Sequence, residues 1–215
     1  MRSRWDVAIG SALCVFSRIA NANEQFERPF ELAASIGYAA PLGDAELGGR
    51  LSDTTFGAVP VALDAAYRLA PRVGLAAHLQ YGVGVPTLCH TASDCVSSLG
   101  SDTVAAIAAR IYLPASRAIA PFADVGIGYE WLTTRLSDSG AHSTRAFSGP
   151  VLSWLGLVAP LRVAGHWSIG PVANLTLGTF TRDSLETNLG SNSGSVTARG
   201  IHAWASLSVR LAYTF

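Results

Sequence analysis

A strict two-residue periodicity in the last fifteen residues constrains the fold of this chain more than any other feature. Every second residue from Ile201 to Phe215 is apolar, whereas the residues between them are mostly polar or small. Successive side chains of a β-strand point to opposite faces, so the pattern predicts a long strand with one apolar and one polar face. A fold of this chain must therefore give the strand two different environments.

Seven earlier segments alternate in the same way, the one from Pro150 to Leu161 least cleanly. Further strands are predicted near residues 30–38, 59–69, 73–85, 103–113, 119–131, 150–161 and 167–177. Short turns at 70–72, 114–118 and 162–165 alternate with four long loops at 41–57, 86–101, 132–149 and 181–195. Strand, long loop, strand and short turn repeat roughly every 45 residues, which predicts an all-β, antiparallel, up-and-down series of hairpins.

The closing segment, which ends Tyr213-Thr214-Phe215 after unbroken apolar alternation, resembles the final strand and assembly signal of bacterial outer-membrane β-barrels. The eight strands resemble the small members of that family, and this resemblance covers Phe30 to Phe215. It implies an eight-stranded antiparallel up-and-down transmembrane β-barrel in the bacterial outer membrane, with tight turns in the periplasm and long loops outside. It also implies a monomer that contacts outer-membrane lipid and is assembled by the barrel assembly machinery through the strand ending at Phe215. For the closing segment alone, an edge strand of a soluble sheet is the alternative.

The composition favours a membrane protein over a conventional soluble domain. Only 14% of the residues are charged, whereas soluble domains carry about a quarter. The formal net charge of +0 provides no basic excess for nucleic acid. No run approaches the ~20 apolar residues that a membrane helix needs. If the chain spans a bilayer, it must do so as a closed barrel, because an open sheet edge leaves backbone groups unpaired in hydrocarbon.

Residues 1–22 have the order of a secretory signal peptide. Arg2 and Arg4 precede the mostly apolar run Val7 to Phe16, and the small-x-small sequence Ala20-Asn21-Ala22 follows. This order predicts export and a mature barrel domain of residues 23–215. Cys14 suggests a lipoprotein as an alternative, but Leu13 stands where a small residue should precede a lipidated cysteine.

Two cysteines remain after the predicted cleavage, Cys89 and Cys95, and both lie in the second long loop. Exported chains pass through oxidising compartments in which disulfides persist, so the pair predicts a disulfide bond. A metal site with the adjacent His90 is the alternative, although no further ligand pattern accompanies it.

The apolar face of each strand is expected to contact lipid. The other face is rich in Gly, Ala and Ser, which suits the narrow interior of an eight-stranded barrel. A soluble lipocalin-like carrier would instead turn its apolar face inward. Aromatic residues on the apolar face lie near strand ends, as the two girdles of a membrane barrel do. The predicted girdles are Tyr38, Tyr81, Tyr129 and Trp131 toward the loops, and Tyr67, Trp167, Tyr213 and Phe215 toward the turns.

The other, polar face of each strand is expected to place ionisable side chains in the lumen. The predicted ion-pair network comprises Glu31, Asp64, Arg68, His78, Arg110, Asp124, Glu130 and Arg210, with Gln80, Asn174 and His202 beside it. Counting from the turn at Pro71 places Asp64 opposite His78, and the same kind of count places Arg110 opposite or diagonal to Asp124. Arg210 and Glu31 are candidates to meet where the barrel closes. Enclosed charges are costly unless paired, so we expect a plug; a gated path for protons or small ions is the alternative.

No catalytic, cofactor or metal site is predicted. His166-Trp167-Ser168 resembles the His-x-Ser pair of lipid A deacylase barrels, but it stands at the periplasmic start of its strand, the wrong place for that chemistry. The sequence therefore predicts a structural or surface-interaction role, with the loops as the contact for an unknown surface ligand. A lipid-modifying barrel enzyme and a periplasmic lipocalin-like carrier are the alternatives.

Overall fold

The computed structural model of the chain describes residues 29–46, 49–53, 57–85, 97–114, 119–138, 141–188, 190–196 and 199–215. The predicted signal peptide and both cysteines of the predicted disulfide lie outside these residues. One 3-10 helix, Leu51–Asp53, is present. Within the described ranges, no helix is both long enough and apolar enough to cross a membrane.

Twelve strands make up almost all the regular structure in these ranges. They are β1 (Phe30–Glu46), β2 (Gly49–Arg50), β3 (Gly57–Ala70), β4 (Val73–Val85), β5 (Ser97–Tyr112), β6 (Phe122–Asp138), β7 (Ala141–Val158), β8 (Leu161–Ala164), β9 (Trp167–Gly178), β10 (Arg182–Thr187), β11 (Gly190–Ser195) and β12 (His202–Thr214). Eight of them close an antiparallel barrel in the order β1-β3-β4-β5-β6-β7-β9-β12. The last strand pairs with the first from Glu31–Thr214 to Gly43–His202, so the sheet has no open edge around the barrel. The predicted eight-stranded up-and-down barrel is confirmed.

The wall of the barrel is apolar on the outside. On β12, the side chains of Leu207 and Val209 are 66% and 56% exposed, whereas the alternating Ser208 and Arg210 are 7% and 2% exposed. A soluble barrel would hide such leucines and valines inside, because burying apolar surface is the main favourable term in its folding. The observed orientation suits a hydrocarbon surrounding, and closure of the sheet pairs the backbone groups that lipid could not satisfy.

The strands extend further than the sequence predicted, so the proposed loop boundaries were wrong. Residues 132–138 and 141–149 are the ends of β6 and β7, and the predicted loop 181–195 contains β10 and β11, of which β10 also pairs with β7. The 41–57 segment contains the end of β1, the short strand β2 and the 3-10 helix, and β5 already begins at Ser97. These extensions are rich in Ser and Thr, so they lack the apolar alternation that revealed the membrane-spanning parts.

A β-bulge in β7 explains why the sixth predicted strand alternated poorly. The register of β7 shifts between Val151 and Ser153 against β9, and between Val151 and Trp154 against β6, so β7 carries one extra residue there. An extra residue reverses which side chains face inward. Val151 is therefore buried and Leu152 is exposed, whereas unbroken alternation with Trp154 and Val158 predicts Leu152 on the inner face. Trp154 and Val158, on the other side of the bulge, are buried as expected.

The interior is packed with side chains. One apolar cluster joins Phe122, Val158 and Val172, and a second is built around Trp154 and Val151. A third lies toward the long connections and comprises Ala39, Leu51, Ala58, Leu132, Phe147, Phe180, Val196 and Trp204. Polar side chains occupy the space between these clusters and form the candidate site.

Candidate functional site

The buried guanidinium of Arg110 lies at the centre of one polar cluster in the lumen. Arg110 projects from β5, and its Nε and Nη2 atoms each donate a hydrogen bond of 2.9 Å to the Asp124 carboxylate on β6. Its Nη1 atom donates to Glu31 on β1, and its guanidinium carbon lies 3.9 Å from the centre of the Phe122 ring. Bidentate pairs of this kind are among the strongest polar contacts in proteins.

The cluster continues across the lumen through Glu31. Its Oε1 atom also accepts a hydrogen bond of 2.7 Å from Nη2 of Arg210 on β12. Arg210 Nε lies 3.6 Å from Asp64 Oδ2 on β3, and Asp64 Oδ1 lies 2.6 Å from Nδ1 of His78 on β4. The His78 ring in turn packs on Trp154, with ring centres 4.5 Å apart. We call Asp124, Arg110, Glu31, Arg210, Asp64 and His78 the lower cluster.

The lower cluster joins six of the eight barrel strands. Its three carboxylates alternate in space with two guanidinium groups and one imidazole, so each charge has a neighbour of opposite sign or a hydrogen-bonding partner. Buried ions need such pairing, because removing one partner leaves an uncompensated charge. The arrangement ties distant strands together and fills the lumen.

A second, separate cluster surrounds Glu130 on β6. Its Oε1 atom accepts a hydrogen bond of 2.9 Å from Trp204 Nε1, and its Oε2 atom lies 2.7 Å from His202 Nε2. The His202 ring stacks on Phe180 with centres 4.0 Å apart. Asp102 faces Glu130 from β5. We call Glu130, His202, Trp204 and Asp102 the upper cluster.

The structure divides what the sequence treated as one network. Glu130 belongs to the upper cluster, and Arg68 belongs to neither. The guanidinium of Arg68 packs 3.9 Å from the centre of the Tyr112 ring, at a cavity of about 460 Å³ that opens at the tight-turn end of the lumen. Arg68 lies close to the tight turn between β3 and β4. Its long side chain therefore reaches the rim of the barrel and not the centre of the lumen.

Sequence reasoning overlooked Asp102 and Trp204. Asp102 falls at the boundary between the predicted second loop and the fourth strand, where the alternation had not yet begun. Trp204 lies on the polar face of the closing strand. An indole among polar residues indicates that its N–H group has a hydrogen-bonding partner in the lumen. Its N–H group usually finds a partner when buried, here Glu130.

Replacing Glu130 with alanine should destabilise the barrel by about 2–3 kcal/mol, the cost of leaving buried polar groups unsatisfied. Both the Trp204 N–H and the His202 imidazole would lose their partner. Urea unfolding in liposomes, followed by tryptophan fluorescence, measures the change. Glu130→Gln retains an acceptor for Trp204 and should cost less; equal losses in the two variants would contradict this account.

The predicted girdle residues project from the outer wall. Tyr38, Tyr67, Tyr81, Trp131, Trp167 and Phe215 are exposed, and Tyr129 and Tyr213 are half-buried. Near the tight turns, Tyr213 packs edge-on against both Trp167 and Phe215, with ring centres 4.9 Å apart in each pair. Tyr129 packs against Trp131 at 4.7 Å on the opposite rim.

The other candidate chemistry finds no support among the described residues. No group of three or more His, Cys, Asp or Glu side chains in these ranges could hold a metal ion. Nδ1 of His166 is hydrogen bonded to the Thr214 carbonyl oxygen at 2.7 Å, and its ring stacks on Tyr213. His166 therefore lies at the rim, where it connects the end of β12 to the turn between β8 and β9.

No protein-family model and no curated protein sequence matches the chain. Among solved structures, it is similar to a major outer membrane protein from Thermus thermophilus, with a TM-score of 0.57 and 13% identity over 88% of this chain and 100% of that chain. A weaker likeness is to Neisserial surface protein A, with a TM-score of 0.49 and 12% identity over 86% of this chain and 97% of that one. Ail, the attachment invasion locus protein of Yersinia pestis, follows with a TM-score of 0.45 and 12% identity over 86% and 99% of the two chains.

The closed barrel and its outward apolar face define a small eight-stranded outer-membrane β-barrel, and the Thermus structure has the same fold. The chain is a protein of the bacterial outer membrane. Its class follows from the orientation of the wall, because only surrounding lipid accommodates so continuous an apolar exterior.

Proposed function

We propose that this protein is an outer-membrane barrel with a plugged lumen that acts as a structural and surface-interaction protein and carries out no catalysis. The observation that supports this most directly is the lower cluster. Six side chains from six strands pair with one another across the interior, and rings of two apolar clusters, Trp154 and Phe122, pack against His78 and Arg110. A lumen filled in this way favours mechanical stability over passage of solutes.

The gated-path alternative would require the same ion pairs to open. Arg110 and Arg210 both contact Glu31, and Asp124 and Asp64 hold the other sides of the two guanidinium groups. Opening would leave several charges without partners at once, which costs several kcal/mol for each buried ion. We therefore assign the cluster to closure of the lumen.

Planar bilayers test the plug. The purified barrel should show no steady single-channel conductance, and neither should Asp64→Ala or Arg110→Ala, because the apolar clusters remain while stability falls. Both variants should unfold at lower temperature. Stable conductance steps in the wild-type protein, or steps created by either substitution, would favour the gated path.

The external role is assigned to the segments beyond the barrel rim. The β6–β7 hairpin extends past the girdle, and the β10–β11 hairpin pairs alongside it. Arg145 on β7 donates to both carboxylate oxygens of Asp183 on β10, at 3.1 and 2.8 Å, which holds the two hairpins together. Such a supported sheet offers a surface for an external ligand.

The remaining parts of the proposal concern export and assembly. Residues 1–22 direct export, Cys89 and Cys95 form a disulfide in the external segment 86–96, and the barrel assembly machinery recognises the strand that ends at Phe215. The mature protein is a monomer. Mass spectrometry of the purified protein, with and without reductant, tests cleavage, the disulfide and the oligomeric state together.

The rival activity, modification of membrane lipid, has a direct test. The detergent-solubilised barrel is incubated with lipopolysaccharide and with phospholipid, and the lipid masses are measured afterwards. We expect no change. Loss of an acyl chain in the presence of the wild-type protein would establish an enzyme and overturn this part of the proposal.

A further inference from the structure

The end of the lumen at the tight turns holds a cavity of about 460 Å³. Cavities that bind small ligands occupy about 300–1,000 Å³, so this one has room for a small polar molecule. In barrels of this class the tight turns face the periplasm, so a ligand enters from that side. We call the space bounded by Glu31, Arg68, Tyr112, Phe122, Arg162 and Ser168 the turn-end cavity.

Arg68 borders the turn-end cavity from a supported position on β3. Its guanidinium carbon lies 3.9 Å from the centre of the Tyr112 ring, and the centre of that ring lies 6.0 Å from the centre of the Phe122 ring. Gly74, the cross-strand partner of Arg68, leaves room for Tyr112, since a Cβ atom there would lie 3.3 Å from Tyr112 Cε2. A guanidinium that stacks on a ring keeps its N–H groups available at the edge of its plane. Arg68 can therefore donate hydrogen bonds into the cavity.

Arg162 borders the cavity from the opposite side of the barrel. It lies on β8, directly across from Ser168 on β9, and Ser168 lies across from Ala212, which is 1% exposed. Cross-strand partners share a face of the sheet, so Arg162 is on the lumen side of the wall. The strands β1, β12 and β9 separate β3 from β8, which places the two strands half a circumference apart in an eight-stranded barrel. Arg68 and Arg162 therefore approach the cavity from opposite walls.

The lower cluster closes the inner end of the cavity. Phe122 is 1% exposed and packs on the guanidinium of Arg110, and Glu31 lines the cavity beside it. Oε1 of Glu31 accepts hydrogen bonds from both Arg110 and Arg210, so the charge of this carboxylate is already compensated. A ligand in the cavity therefore meets two guanidinium groups at the sides and a paired carboxylate below.

Charge pairing distinguishes the two cavity arginines from those elsewhere in the barrel. Arg110, Arg145 and Arg210 each contact a carboxylate. Within the described part of the chain, neither Arg68 nor Arg162 has a carboxylate at salt-bridge distance. A cleft lined by charges of one sign attracts ligands of the opposite sign, because its low-dielectric walls focus the field. Since the two guanidinium groups come from opposite walls, a ligand that pairs with both must carry two anionic groups.

We propose that the turn-end cavity binds a periplasmic ligand with two carboxylates on a short polar chain, one paired with Arg68 and the other with Arg162. Planar carboxylates match the N–H fork of arginine through paired hydrogen bonds. The hydroxyl groups of Ser168 and Tyr112 both donate and accept hydrogen bonds and suit the polar chain between them. A free dicarboxylic acid and an acidic peptide with two glutamate side chains share this chemistry. The site lies at the opposite end of the barrel from the proposed surface interaction and does not depend on it.

Isothermal titration calorimetry of the full-length mature barrel in non-ionic detergent micelles tests the site. Glutarate and the longer pimelate represent the free diacid, and a blocked tripeptide with two glutamate side chains represents the acidic peptide. We expect binding of at least one probe, and the tighter class identifies the source of the ligand. Butyrate, which carries a single carboxylate, should bind about tenfold more weakly than the tightest probe, because it forms one charge-assisted contact instead of two.

Variants of the two arginines assign the contacts. Arg68→Gln and Arg162→Gln should each weaken binding of the tightest probe by about tenfold, the effect of losing one charge-assisted hydrogen bond. Arg72→Gln is the matched control, because Arg72 is an exposed arginine in the turn between β3 and β4, at the same end of the barrel but outside the cavity. It should retain the wild-type affinity. Heat-modifiable migration on a gel verifies that each variant is folded.

Four outcomes would overturn the proposal. The first is that neither the diacids nor the peptide binds the wild-type barrel. The second is butyrate or inorganic phosphate that binds as tightly as the tightest probe, which would indicate a site for a single anion. The third is unchanged affinity in Arg68→Gln or Arg162→Gln. The fourth is an equal loss in Arg72→Gln, which would indicate a general effect of positive charge at this end. Bilayer conductance and lipid masses test the proposed function separately.

Discussion

Replacing Arg110 with methionine is expected to lower the free energy of unfolding by about 3–5 kcal/mol, the cost of breaking a buried ion pair from one side. Arg110 is 1% exposed and holds both Asp124 and Glu31. Methionine keeps much of the volume but removes the charge, so Asp124 is left buried without its cation. Urea unfolding of the barrel in liposomes, followed by tryptophan fluorescence, measures the loss.

Two further variants make this experiment decisive. Arg68→Met removes a guanidinium that packs on Tyr112 at the rim, and it should cost within about 1 kcal/mol, the range of a cation–π contact at such a site. Arg110→Met combined with Asp124→Leu removes both charges and should recover part of the stability lost in the single variant. A double variant less stable than Arg110→Met alone would show that packing, and not charge compensation, explains the effect.

Replacing Gly37 with valine is expected to prevent closure of the barrel. Gly37 on β1 lies opposite Ser208 on β12, at the seam between the first and last strands. A Cβ atom there would overlap the Leu207 carbonyl oxygen and the Ser208 Cα atom. Backbone atoms cannot move away by rotating a side chain, so we expect a cost above the ~3 kcal/mol of ordinary overpacking. The folded fraction after refolding into detergent, read as heat-modifiable migration on a gel, should collapse.

The same substitution at Gly194 provides the control. Gly194 lies in β11, outside the barrel, and a Cβ atom built there meets nothing within 4 Å. Gly194→Val should therefore refold like the wild-type chain. A Gly37→Val protein that migrates as a folded barrel would show that the seam can separate without loss of closure.

The alternation of apolar and polar residues was enough to predict the strands and the side of each that faces lipid. Each strand must satisfy lipid on one side and a narrow lumen on the other, and the pattern records that demand residue by residue. Short turns add register: Asp64 and His78 are equally distant from Pro71 in the turn, and they lie opposite each other in the structure. Arg110 and Asp124 are likewise paired in register across β5 and β6.

The pattern was uninformative where the lipid ends. The extensions of β6 and β7 and the β10–β11 hairpin have polar residues on the outward face, so nothing in their sequence marks a buried side. Segments 132–149 and 181–195 were consequently predicted as loops. The bulge at Val151–Ser153 also escaped notice, because a single inserted residue reverses the phase without changing composition.

The sequence by itself determined the strands, their lipid-facing sides and the local pairs across tight turns, because these depend on a two-residue period and on neighbours a few residues from a turn. Only the tertiary structure decided how the lumen is filled. Arg110 and Glu31 are 79 residues apart, and Glu130 and His202 are 72 apart. Such contacts cross the barrel and depend on its closure and on the stagger of all its strands, which no local pattern encodes.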